Sequence, residues 1–439
     1  MDADDLDRRG RTGSDRIPPE LVGRLLERGH TALVAERAAR EWPCADAWAR
    51  MLAGEGRPDE ALEVLAPHAA TGRWDAVVAV AELLEDTGRV AQAIETVRAR
   101  MSLGHPHALK HYARLLARHG RAGEAFDLLL PYADEYGRVH ALAEVAAAAG
   151  REEETAALLD TRIAEHRCTD FPWCCDGFDT DTARELLAGI RERQGRIDEA
   201  IALLRRRHVV WVNGRDLLAD LLARHGRYAE ALAYAKECQD EEALEPLARA
   251  LEERGDVEGA IAVYRQEDLP ASGHPNAAYE HAQLLARHGR GEEAIAVLRE
   301  QADRHPDDDW LRHALAVLCL EQGFPAEGLA HLEALAARCG GGAEEWGMYR
   351  IRLPLLAARD GVDAAVRQAR AHPEGDTPCA AADIARLLAD AGRAEEALAV
   401  LDQHAVSRWR LTHLAGRLID LGRTAEALAL LQRPDQPAF

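Results

Sequence analysis

Two stretches carry residue types able to do chemistry. In "HPHALKH", His107 and His111 stand four residues apart, which would bring both imidazoles to one face of a helix and offer a metal ion two ligands. A metallopeptidase HExxH needs a glutamate next to the first histidine and a third ligand, and neither is evident. The stretch "HRCTDFPWCCDGFDTD" (166–181) offers His166, Cys168, Cys174 and Cys175 to zinc, or Asp176, Asp179 and Asp181 to calcium. Adjacent cysteines rarely serve one tetrahedral ion and no CxxC is present, so Phe171, Trp173 and Phe178 plugging a neighbouring core is the stronger reading. No glycine-rich phosphate loop appears, and no Ser/His/Asp or Cys/His set can be nominated. The expectation is a chain with no catalytic residues, no metal and no cofactor.

The bulk properties narrow the class. The formal net charge is −22, and lysine occurs only at Lys110 and Lys236, the other bases being arginine. Nucleic-acid affinity depends on a positive surface that displaces counterions, so nucleic acid is not the expected partner. The preference for arginine and alanine suggests a GC-rich, bacterial coding sequence. The eight cysteines (44, 168, 174, 175, 238, 319, 339 and 379) lack the spacing of a disulfide framework, which favours reduced thiols in the cytoplasm. The first residues, "MDADDLDRRGRTGSDRIPPE", hold no apolar run, and no span reaches the roughly 20 apolar residues of a membrane helix, so neither a signal peptide nor a membrane anchor is expected.

What must position any site is a repeated element. "LLARHGR" occurs at 115–121, 221–227 and 284–290, each time followed within a few residues by an acid and an alanine. Alignment on its glycine extends the pattern to Gly29, Gly56, Gly88, Gly120, Gly150, Gly195, Gly226, Gly255, Gly289, Gly323, Gly361, Gly392 and Gly422, at intervals of 27 to 45 residues. Before each glycine, apolar residues recur three and four apart, as in Leu109, Tyr112, Ala113 and Leu116, which predicts a helix with one apolar stripe. Arg118 and His119 would face the carbonyls of the last turn, and Gly120 would end the helix in the left-handed conformation. Glu124, Glu199, Glu230, Glu293, Glu396 and Glu426 then open a second helix near its positive end. Seven residues before the glycine stands alanine in eleven of thirteen units, and five after it in nine, so the two helices should approach closely along a small-residue seam.

"LLARHGRAGEAFDLL" and "LLARHGRGEEAIAVL" resemble the tetratricopeptide repeat, with its small residue in mid-helix, its corner glycine and its acid-alanine pair. The resemblance runs from about Ile17 to Leu431 and implies an all-α fold, an α-solenoid (right-handed superhelix) of about 12–13 hairpins whose first helices line a concave groove for peptides or protein segments. The family's aromatic positions are mostly leucine here and its closing proline is usually absent, although Pro306 matches. A pentatricopeptide, RNA-binding reading suits "GRAEEALAVL", but the uneven intervals and the acidic balance speak against it.

The expected organisation is a mobile tail (1–16), repeats (17–165), an inserted loop (166–181), repeats (182–338), a Gly-rich break (339–347), repeats (348–432) and a short tail (433–439). Pro354 occupies an alanine position, which predicts a kink or altered stacking there. If the resemblance holds, residues 13, 10, 6 and 3 before each glycine face the groove. One part of it is then acidic, with Asp75, Glu82, Glu85, Glu185, Asp216, Asp220, Glu242 and Glu245; Glu144 and Glu192 fall at the same positions. A later part is apolar, with Trp310, Leu320, Met348, Ile351, Leu355 and Trp409, and Val317 shares the pattern. The expected function is a non-enzymatic scaffold or adaptor for a protein or peptide with basic and apolar residues, without nucleic acid or membrane. The rival is a ligand-responsive sensor whose curvature changes at a hinge near Pro354.

Overall fold

A computed structural model describes residues 16–101, 107–165, 179–206, 211–212, 215–238, 243–265, 275–338, 345–404 and 408–432. The side chains at 211, 212, 215, 238, 408 and 409 fall outside that description. So do 166–178, 339–344 and both tails, with the metal reading and much of the loop and break expected there.

The described chain is helical and divides into two compact units. One unit takes the residues up to Trp48 together with those from Leu251 onward; the other takes Ala49–Cys238 and the described residues through Ala250. The first unit holds α1 (Pro19–Glu27) and α2 (Thr31–Ala38), then α16 (Val257–Tyr264), α17 (Pro275–Arg287), α18 (Gly291–Arg304), α19 (Asp309–Glu321) and α20 (Pro325–Arg338). It continues through α21 (Trp346–Tyr349), α22 (Leu353–Asp360), α23 (Val362–Ala371), α24 (Pro378–Asp390), α25 (Ala394–Leu401), α26 (Arg408–Asp420) and α27 (Thr424–Leu431). The second unit holds α4 (Pro58–Ala70), α5 (Trp74–Asp86), α6 (Val90–Met101), α7 (Ala108–Arg118), α8 (Ala122–Leu129), α9 (Tyr136–Ala149), α10 (Glu152–Glu165), α11 (Thr180–Arg193) and α12 (Ile197–Leu204). It ends with α13 (Leu217–Arg224) and α14 (Tyr228–Cys238), while α3 (Trp42–Gly54) and α15 (Leu244–Glu253) span the division. A two-residue antiparallel pairing, Trp211 with Asp216 and Val212 with Arg215, precedes α13 and is a small departure from an all-helical chain.

All thirteen aligned glycines have positive φ, between 68° and 88°. At Gly120 the bonds are those of a Schellman turn: Gly120 N donates to Ala117 O and Arg121 N to Leu116 O. The turn recurs at Gly226 and Gly289 because its glycine escapes the Cβ penalty of the left-handed region. The seam is equally regular. The nine alanines five residues after a corner are fully buried, and the eleven seven residues before one are at most 6% exposed. Where Gly328 replaces alanine, the reason is a neighbour: a Cβ there would lie 2.7 Å from Cys319 Cβ and 2.9 Å from its Sγ. Gly328→Ala should therefore destabilise the first unit by about 1–3 kcal/mol through overpacking, read as a lower denaturation midpoint. An unchanged midpoint would show that Cys319 can yield.

One hairpin departs from the common register. Gly361 has φ 88° and ψ 156° and donates to Ala357 O, without the Schellman pair. Its core residues are Leu353, Leu355, Leu356 and Ala365, each one position earlier than the glycine would place them. The helix that should lead to Gly361 is interrupted by a 3₁₀ turn at Arg350–Arg352, with Pro354 at the start of α22, where a missing N–H costs nothing.

Candidate functional site

The repeated phrase turns out to be a staple between successive hairpins. Arg118 Nη2 and Nε donate to Glu85 at 2.7 and 2.8 Å, and His119 Nε2 lies 2.7 Å from the same carboxylate. Glu85 stands three residues before the preceding corner. Arg224 and His225 hold Glu192 in the same way, and Arg287 and His288 hold Glu252. The Arg118 guanidinium, with help from His119, keeps the Glu85 carboxyl below its usual range, and Arg287 does the same for Glu252. The arginine after the corner spans two hairpins as well: Arg290 reaches Glu293 in its own hairpin and Glu258 in the preceding one, and Arg227 reaches Glu230 and Asp198. The Arg-His pair, at the last turn of its own helix, thus also holds the neighbouring hairpin's carboxylate. That role was legible, since a glutamate stands three before the preceding glycine wherever the phrase occurs.

On the first-helix side of the second unit lies a cleft of about 280 Å³. Three first helices line it: α9 with His140, Ala143 and Glu144, α11 with Glu185, Leu186, Gly189, Glu192 and Arg193, and α13 with Leu217, Leu221 and Arg224. Leu204, at the end of α12, completes the apolar part. Gly189 opens the floor: it stands six before its corner, where the neighbouring hairpins carry Glu144 and Asp220, and a Cβ there would meet only Arg193 Nη1, at 3.8 Å. Glu144 accepts both Nε and Nη2 of Arg114, at 2.6 and 2.9 Å. The His140 ring packs edge-on against Tyr136, 4.9 Å between centroids, and its Nε2 is buried with no hydrogen-bond partner among the described residues. The cleft therefore combines leucine side chains and rim carboxylates.

Of the acidic residues expected in the groove, Glu185 lines this cleft. Glu82 is exposed, and Asp75 is exposed with Arg73 3.6 Å away. Glu85 is taken up by its staple. Two expectations change, and a third is untested. Asp216 is fully buried because its carboxylate caps α13, accepting from Leu218 N and Ala219 N. Asp220 is buried against Arg249, which also holds Glu245. Glu242 lies outside the described residues. Among the apolar set, Trp310 is 41% exposed and tilts against Tyr279 at 5.2 Å, Val317 is exposed, and Leu320 and Met348 are half-buried. Ile351 and Leu355 are core residues rather than groove residues; for Leu355 the one-residue slip before Gly361 turns it inward. The Trp409 side chain is outside the described set.

His111 packs edge-on against Trp74 at 5.1 Å, and burial lowers its pKa. Asp179 caps α11 and Asp181 pairs with Arg184. Among the described residues no group of three His, Cys, Asp or Glu side chains could hold a metal ion, and no helix is long and apolar enough to cross a membrane.

These hairpins, with left-handed glycine corners and an alanine seam, define a helical-hairpin repeat protein. Residues 275–318, covering α17, α18 and most of α19, match the tetratricopeptide repeat family. No curated protein matches the sequence significantly. Among solved structures, Naa15/Naa10 bound to HypK-THB is similar at 16% identity over 94% of this chain and 74% of that one, with a TM-score of 0.39. The pentatricopeptide repeat protein PPR10, solved with an 18-nt psaJ RNA element, is similar at 16% identity over 97% and 72%, with a TM-score of 0.35. A tetratricopeptide repeat protein from Parabacteroides merdae is similar at 14% identity over 75% and 97%, with a TM-score of 0.23.

Proposed function

We propose that the chain is a non-enzymatic scaffold that holds a peptide or protein segment along its first helices. In this reading an apolar side chain of the segment enters the cleft beside Gly189, and a basic residue meets Glu144, Glu185 and Glu192 at the rim. The observation that carries it is the cleft itself, apolar within, carboxylate-rimmed, and lined almost wholly by first helices of three successive hairpins. The rim carboxylates are partly exposed, and exposed ion pairs contribute little, so a ligand's guanidinium can share them at small cost. The net charge of −22 favours a basic segment and disfavours RNA.

The test is titration of the full chain with a fluorescent peptide of alternating arginine and leucine, against its glutamate-leucine counterpart. Gly189→Trp, whose Cβ would meet only Arg193 Nη1 at 3.8 Å, should fill the cleft and weaken binding at least about tenfold with helix content unchanged, because a filled pocket forfeits its anchor contacts. Equal affinity of wild type and variant, or preference for the acidic peptide, would reject the cleft. The alternative, a sensor whose curvature changes, draws on the interruption at Arg350–Arg352. Small-angle scattering through the same titration separates the two, since a rigid scaffold keeps its profile.

A further inference from the structure

Within the first unit, two segments from opposite ends of the described chain share a seam: α1 lies against α26. Leu21 packs over Gly416, where an added Cβ would stand 3.2 Å from Leu21 Cδ2 and 3.5 Å from Arg24 Nη1. Arg24 Nη1 donates to Asp420 Oδ2 at 2.5 Å, and Arg28 Nη2 lies 3.8 Å from Oδ1 of the same carboxylate. His30 Nε2 is 2.6 Å from Thr424 Oγ1.

The offsets of these residues are informative. Arg24 stands five before Gly29, and its partner Asp420 two before Gly422. One seam earlier, Arg417 stands five before Gly422 and pairs at 2.9 Å with Asp390, two before Gly392. Equal offsets with equal chemistry mean equal stacking register. Residues 17–38 therefore sit on the Gly422 hairpin as that hairpin sits on the Gly392 one. The direction agrees too, because at the internal staples the later hairpin supplies the base and the earlier one the acid, as with Arg118 on Glu85 and Arg290 on Glu258. Here the bases belong to residues 17–38, which occupy the place of a successor repeat. Ile17 N and Arg37 Nη1 both donate to the buried Glu41, just past the segment, which gathers the two ends of residues 17–38 at one carboxylate.

We infer that the outgoing face of the Gly422 hairpin is a docking surface for a repeat-like hairpin bearing arginines at these offsets, and that residues 17–38 are its detachable occupant. The apolar face of a repeat needs cover, and residues 17–38 give it to the Gly422 hairpin without being covalently next in line. Its polar fasteners are exposed: Arg24 and Arg28 are 43% and 50% accessible and Asp420 is 28%. Such pairs are weak and screened by salt, and the internal Arg417–Asp390 pair is as exposed, so what lets this seam open first is that residues 17–38 are not next to the Gly422 hairpin along the chain.

Hydrogen exchange on the full chain tests this. Asp420→Arg puts a further guanidinium among Arg24, Arg28 and Arg417, and exchange in α1 and α26 should quicken about tenfold or more while α17 and α18 keep their protection. Adding Arg24→Asp and Arg28→Asp to that variant should restore the protection. Raising salt from about 0.05 to 0.5 M should move the wild type the same way as Asp420→Arg. Gly416→Leu, which alters shape and not charge, should also loosen α1. Exchange in α1 indifferent to both single substitutions, or a charge-swapped triple variant no better protected than Asp420→Arg alone, would overturn the inference.

Discussion

Trp346→Ala is expected to cost the first unit about 3–5 kcal/mol, a loss at the upper end for any single buried side chain. Trp346 is 3% exposed, its Nε1 donates to Asp383 Oδ2 at 2.9 Å, and its backbone N donates to Glu374 at 3.0 Å. Its ring meets Tyr349 and His372, each with centroids 5.5 Å away. Truncation would leave both a cavity and a buried carboxylate short of a donor, because Asp383 is 5% exposed and its other cations stand off, Arg386 at 3.4 Å and Arg410 at 3.6 Å. Trp346→Phe separates the contributions: it retains most of the volume and loses the N–H, at about 1–3 kcal/mol. Hydrogen exchange in α21–α24 is the local readout, because unfolding of a repeat array need not be two-state. Equal protection in wild type and both variants would refute the packing argument.

Acidification from neutral pH to about 4 should weaken the first unit by about 3 kcal/mol through His281 alone. The residue is 8% exposed, stacked on Tyr264 with centroids 5.4 Å apart, and its Nε2 is buried without a hydrogen-bond partner among the described residues. Burial, with Arg265 and Arg290 nearby and Glu293 opposing them, pushes its pKa down from 6.5 to about 4. Between those values the unfolded chain binds the proton and the folded one does not. Stability therefore falls as pH drops through this window and is flat above it. Glu85 and Glu252 lose their contributions lower still, below the ordinary carboxylate pKa, since their folded pKa values are depressed. His281→Phe keeps the stack and removes the ionisable nitrogen, so the difference between wild type and variant in the pH 6.5–4 slope isolates this residue. His111, His313, His331 and His372 are shifted the same way and remain in both proteins. An unchanged slope in the variant would remove His281 as the cause.

Local chemistry was legible because each feature is decided within one hairpin. A glycine at every corner, alanine seven before and five after it, and an acid opening the second helix follow from backbone sterics and close approach, both set by short-range spacing. Register failed once, at Gly361, where interruption by a 3₁₀ turn and Pro354 shifted the pattern by one residue and turned Leu355 from groove to core. Asp216 and Asp220 were misread for another reason: a carboxylate looks alike in sequence whether it caps a helix, pairs with an arginine of the next hairpin or waits for a ligand.

By itself, then, the sequence determined the hairpins, their corners and their seams, because those depend on residues a few positions apart. Only the tertiary structure decided which hairpins meet across the chain, that Gly189 opens a cleft among three first helices, and that residues 17–38 take a successor's place on the Gly422 hairpin. Those facts depend on contacts between distant segments, which spacing along the chain does not encode.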